Sequence, residues 1–131
     1  MPVSLELLHD NHLMVFTYTD PFSIVEMNEM FNNAMPLLDK VTGAVYGIHD
    51  GSRLRTLPRN MLSFASRTGK VNLNHPNAGS VCVIAPTMFM HVVVNAISKA
   101  LPSGKLFVVK TMEEALAKID QLMADEEKVK A

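Results

Sequence analysis

Polar and apolar residues alternate at the start of the chain. Val3, Leu5 and Leu7 interleave with Ser4 and Glu6, the period-two pattern of a strand covered on one face. Residues 13–19 form a second strand. Asp10-Asn11 between the two is turn chemistry, which predicts a β-hairpin. After Asp20-Pro21 the period changes: Ile24, Met27, Phe31, Ala34 and Leu38 recur at helical spacing. Ser23 and Glu26 have capping-box spacing at the start of this helix, with Phe22 and Met27 as the accompanying hydrophobic staple. The helix is expected to end between Lys40 and Gly43.

Residues 44–48 are a short apolar run, long enough for a buried strand and too short for a helix. His49-Asp50-Gly51-Ser52 breaks it with turn-forming residues. Pro58 suits a first helical turn, and Met61, Leu62 and Ala65 follow at helical spacing. Gly69 is a natural left-handed stop for that helix. Residues 71–79 have loop composition, and 80–85 form another buried strand. Thr87 can cap the next helix, whose apolar rows include Met90, Val93, Val94, Ile97 and Leu101. Residues 105–109 are a last strand. Thr111 and Glu114 repeat the capping-box spacing, and Ala115, Leu116, Ile119, Leu122 and Met123 mark the buried stripe of a final helix. Its last residues, DEEKVKA, are expected to be frayed and solvated.

The order β-β-α-β-α-β-α-β-α predicts one α/β domain over residues 1–131, with an antiparallel hairpin followed by parallel crossovers of right-handed sense. The runs at 44–48, 81–84 and 106–109 have no polar alternation and are expected to be interior strands; Val3–Leu8 is expected nearer an edge. No stretch is long and clean enough for a membrane span. The N-terminus lacks a basic region and an apolar core of the kind that targets secretion. The lone Cys82 lies in an apolar strand, so no intrachain disulfide can form and a buried, inert thiol is expected. These features fit a cytoplasmic protein.

Charge changes the picture more than composition does. Residues 1–50 carry seven acids and one base, residues 51–112 eight bases and no acid, and residues 113–131 six acids and three bases. A basic middle can be a set of solvated faces, or a surface for an anionic ligand or acidic partner. It carries no nucleic-acid motif. Arg53, Arg55 and Arg59 cluster at the expected helix N-terminus, with Ser52 and Thr56 between them and Thr87 after the next strand. Guanidinium groups suit bidentate carboxylate or phosphate recognition, and a helix N-terminus favours anions. The plainer reading is a solvated loop paired with acids elsewhere in the fold. His49, Asp50 and Ser52 do not form a hydrolase elbow, and adjacent strand residues point to opposite faces, so loop capping is preferred to catalysis. His9, His12, His75 and His91 match no metal-binding motif. No cofactor is implied.

Three stretches carry a resemblance. LELLHDNHLMVFTYT, SVCVIAPTMFMHVVVNAISKAL and KLFVVKTMEEALAKI resemble the first hairpin, the penultimate strand and helix, and the closing strand and helix of the STAS domain. That is the fold of bacterial anti-sigma-factor antagonists and of the cytoplasmic ends of sulfate transporters. The resemblance implies a STAS-like mixed sheet with helices mainly on one face, and a non-enzymatic regulatory role. The antagonists carry a phosphorylated Asp-Ser pair where this chain has Arg55-Thr56-Leu57-Pro58-Arg59, so the phosphoswitch does not carry over. The chain resembles a divergent, SpoIIAA-like branch that binds small or lipid-like molecules or partner proteins. The expected function is a binding or regulatory module contacting an anionic small molecule, lipid headgroup or partner protein through Ser52, Arg53, Arg55, Thr56, Arg59 and Thr87. A structural homodimer is the alternative, and a small hydrolase or transferase a third.

Overall fold

The computed structural model describes residues 2–102 and 104–130. β1 (Val3–Leu8) and β2 (Leu13–Tyr18) are the antiparallel hairpin, with Ser4 opposite Thr17 and Leu8 opposite Leu13. Its turn holds His9, Asp10 and Asn11 at positive φ; Asp and Asn accept this region more readily than most residues. β3 (Val45–Asp50), β4 (Ala78–Ile84) and β5 (Leu106–Val109) add in parallel, giving a five-stranded sheet in the order β1-β2-β3-β4-β5.

That order settles where the helices go. Each parallel crossover moves one strand in the same direction, so right-handed connections leave every crossover helix on the same face. α1 (Ile24–Ala34), α2 (Met61–Asn72) and α3 (Met88–Lys99) accordingly share a core with Met14, Phe16, Tyr18 and Val45. α4 (Met112–Lys130) follows the last strand and takes the other face. There Ala115 and Ile119 bury against Leu13, Val15, Tyr46, Ile48, Cys82 and Ile84.

The caps at α1 and α3 behave as their spacing predicts, and the one at α4 in part. The Ser23 hydroxyl accepts from the Glu26 amide at 3.1 Å, and the Glu26 carboxylate accepts from the Ser23 amide at 3.0 Å. Thr87 Oγ1 accepts from the Met90 amide at 3.2 Å. At α4, Thr111 Oγ1 accepts from the Glu114 amide at 3.1 Å, but the Glu114 carboxylate reaches one residue further back, to the Lys110 amide. Pro36 lacks an amide proton, and the chain after α1 tightens into a 3₁₀ turn over Met35–Lys40.

Four expectations are corrected. β5 is an edge strand, not an interior one. α3 and α4 pack against it, so both its faces are apolar although one hydrogen-bonding side is free. α2 begins at Met61 because residues 58–60 form a turn closed by the Met61 amide on the Pro58 carbonyl, with Asn60 left-handed. It runs past Gly69 to Asn72. A Cβ on Gly69 would lie 2.7 Å from Leu101 Cδ2, so this glycine serves helix packing rather than termination. The expected frayed tail is instead the last turns of α4 up to Lys130, with Tyr46 donating a hydrogen bond to Glu126; Ala131 lies outside the described residues.

Candidate functional site

The face of the sheet beneath α1–α3 carries Met14, Phe16 and Tyr18 from β2, then Val45, Gly47 and His49 from β3. Register sets Phe16 beside His49. A bulge between β3 and β4 keeps Ala78, Val81 and Val83 on this face. Gly47 leaves a gap in the middle of the row, where a Cβ would sit 3.3 Å from Val81 Cγ2. The three helices close over this gap without filling it. A cavity of about 190 Å³ remains, walled by sheet residues, by Phe31, Met61, Ala65, Met90 and Val94 of the helices, and by Leu54 and Leu57 of the 51–60 loop.

The wall is largely apolar; Asn72 of α2 and Tyr46 of β3 also line it, and one hydrogen-bonded polar pair stands on the sheet side. Tyr18, 3% exposed, has its hydroxyl 2.7 Å from His49 Nδ1. The imidazole lies flat on Phe16, with centroids 4.7 Å apart and planes 5° from parallel, while Phe31 meets it edge-on at 5.7 Å. Burial disfavours the imidazolium and holds His49 down to about 4; it also pushes the Tyr18 phenol up. Both groups are therefore neutral at physiological pH. On the opposite face burial pushes the Cys82 thiol up to about 11, so the buried, unreactive thiol expected there is the one found.

The 51–60 loop has two sides. Leu54 is buried and Leu57 half-buried on the cavity side, whereas Ser52, Arg53, Arg55, Thr56 and Arg59 are exposed. Three bonds fix its course: Asp50 Oδ1 accepts from the Ser52 amide at 2.9 Å, the Gly51 carbonyl from the Leu54 amide at 3.0 Å, and Asp20 Oδ2 from the Arg55 amide at 2.7 Å. Among the described residues no carboxylate pairs with Arg53, Arg55 or Arg59. The acid that does reach the loop from elsewhere in the fold, Asp20, accepts from the Arg55 backbone amide. Thr87 follows β4 at the same edge of the sheet, with its hydroxyl engaged in capping α3.

Among the described residues no hydrogen bond between side chains joins His49, Asp50 and Ser52 to one another. His49 turns into the helix layer and bonds Tyr18, while Asp50 caps the loop. The expected capping role therefore falls to Asp50, and His49 is a cavity residue. His12 binds the Asp10 and Thr42 carbonyls and His75 pairs with Asp39. Among the described residues no cluster of His, Cys, Asp or Glu could hold a metal ion. Tyr18, Phe16 and Gly47 were not among the expected site residues. Alternation along LMVFTY and VYGIHD puts Tyr18 and Phe16, and Gly47 and His49, on shared faces. Only the register between β2 and β3 brings the two rows together.

The sheet order and the three helices on one face define a STAS-like, SpoIIAA-like α/β fold. A crystal structure of an uncharacterised protein of the DUF3478 family from Shewanella loihica PV-4, described as having a SpoIIAA-like fold, superposes with a TM-score of 0.62. It covers 92% of this chain and 91% of that one, at 16% identity. That likeness is one of fold. No protein-family model matches the chain. No curated protein matches it either. Among the described residues no helix is long and apolar enough to cross a membrane.

Proposed function

We propose that this chain is a non-enzymatic binding module. It holds a small, largely apolar molecule between its sheet and its three-helix layer, and offers the outer side of the 51–60 loop to an anionic group or acidic partner. The observation that carries this reading is the 190 Å³ largely apolar cavity with the Tyr18–His49 pair in its wall. A dry cavity of about 150 Å³ already takes benzene, so this one has room for a substituted aromatic ring or a short branched chain. The unpaired arginines support the second contact. The engagement of Asp50 and the separation of Ser52 from His49 favour binding over hydrolysis.

Native mass spectrometry of the purified protein tests the cavity. A retained small molecule is expected in the parent and absent from Val83→Phe, which fills the cavity floor with a strand-compatible ring. Equal occupancy in both would place the molecule elsewhere. The loop is tested by thermal-shift screening of anions. A stabilising anion should lose its effect in the Arg53→Ala/Arg55→Ala double variant and in raised salt, because exposed charges are screened beyond about 10 Å at 0.1 M.

A second reading, a homodimer, is favoured by Met88, Phe89 and Val92, which are 80%, 64% and 61% exposed at the start of α3. Sedimentation should then show a dimer that Phe89→Glu dissociates. A monomeric parent removes this reading.

A further inference from the structure

We propose that the molecule in the cavity carries a hydrogen-bond acceptor on an otherwise apolar body, of the ketone or ester carbonyl type, and that the Nε2–H of His49 anchors it. The inference rests on the reading of the cavity as a ligand site. It starts from the imidazole's one hydrogen-bond partner among the described residues, the Tyr18 hydroxyl on Nδ1 at 2.7 Å. A buried phenol needs an acceptor for its proton, and Nδ1 is the one it has. If the phenol donates, Nδ1 is bare. The proton of the neutral ring is then on Nε2, and the other tautomer would strand the phenolic proton in an apolar wall. Among the described residues Nε2 has no hydrogen-bond partner, and it is not one of the fully enclosed unpartnered polar atoms.

The donor is held in place. Phe16 supports the ring face and Phe31 meets it edge-on, so the direction of Nε2–H does not have to be ordered when a ligand enters. The surroundings also select what it meets. No cationic side chain lines the cavity, since Arg53, Arg55 and Arg59 lie on the outside of the loop. A carboxylate would be stripped of water in exchange for one neutral donor, whereas a carbonyl gains the bond without carrying a charge inside. A pure hydrocarbon would fill the space and leave an N–H unpaired.

A matched pair of probes, butyrophenone and butylbenzene, tests this on the intact chain. Imidazole ¹⁵N NMR of the parent should show His49 protonated on Nε2 and bare on Nδ1. Butyrophenone should move the Nε2 resonance, and butylbenzene should leave it in place. His49→Phe should weaken butyrophenone about three- to tenfold more than butylbenzene, the range expected for one neutral hydrogen bond. If that variant fails to fold, the Nε2 response of the parent decides alone. Binding of both probes with Nε2 unmoved, or a proton found on Nδ1, overturns the anchor while the cavity reading stands. If neither probe binds the parent, the cavity reading fails and the anchor with it.

Discussion

Ser23 and His49 show how far a single side chain reaches in this fold. Ser23 satisfies the Glu26 amide at the start of α1, and its own amide is satisfied in return. Ser23→Ala should lower stability by about 1 kcal/mol, read as a shift of the denaturation midpoint with an unchanged slope. His49 makes stability depend on pH. Its folded value near 4 lies below the usual 6.5, so under acid conditions the unfolded chain binds a proton that the native chain does not. The stabilising difference is whole above pH 6.5 and is lost as pH falls towards 4. Between pH 7 and pH 5 the loss should come to about 2 kcal/mol. Denaturation at both pH values should show a clearly smaller loss in His49→Phe. The Ser23 cap could be read from spacing alone because it is local. The His49 role could not, since its partners Tyr18 and Phe16 lie on another strand and only register brings them near.

At the scale of elements, periodicity reports which faces are covered and says less about order and ends. β5 has an apolar run like that of β3 because helices flank both, although one strand is central and the other lies at the edge. Gly69 has the composition of a helix stop, yet it sits inside α2, where its missing side chain admits Leu101. Gly69→Ala should therefore be coupled to that leucine. In the parent the gain in helix propensity is opposed by the 2.7 Å contact. In a Leu101→Ala background most of the gain, up to about 1 kcal/mol, should appear. A double-mutant cycle measures this, and additive effects would show that α2 and Leu101 are not in contact.

At the scale of the whole molecule, the sequence carries the class of fold almost completely. The five strands and four α-helices of the described residues follow from the order of periods, while the one-sided placement of the crossover helices needs the strand order and was implied by the STAS resemblance. It carries the candidate site only in part. The basic loop can be recognised because charge and turn residues are local features. The cavity is a space left between layers, and it depends on Gly47, on the β4 bulge and on how closely three helices approach the sheet.

α4 follows β5 and covers the sheet face that holds Cys82, opposite α1–α3. Each crossover helix joins two strands of the sheet, whereas no strand pairing of β1–β5 runs through α4, so local opening of α4 would leave the sheet paired. Each such event would expose the single thiol of the chain, which gives the protein an internal clock. Disulfide-exchange labelling should modify Cys82 at a rate set by α4 release, more slowly than the unstructured thiol and faster than global unfolding permits. Tyr46→Phe, which removes the hydrogen bond to Glu126, should speed that clock. A molecule bound beneath α1–α3 should leave it running unchanged, because the sheet stands between the two events. If labelling instead slows in step with ligand affinity, the two faces open together.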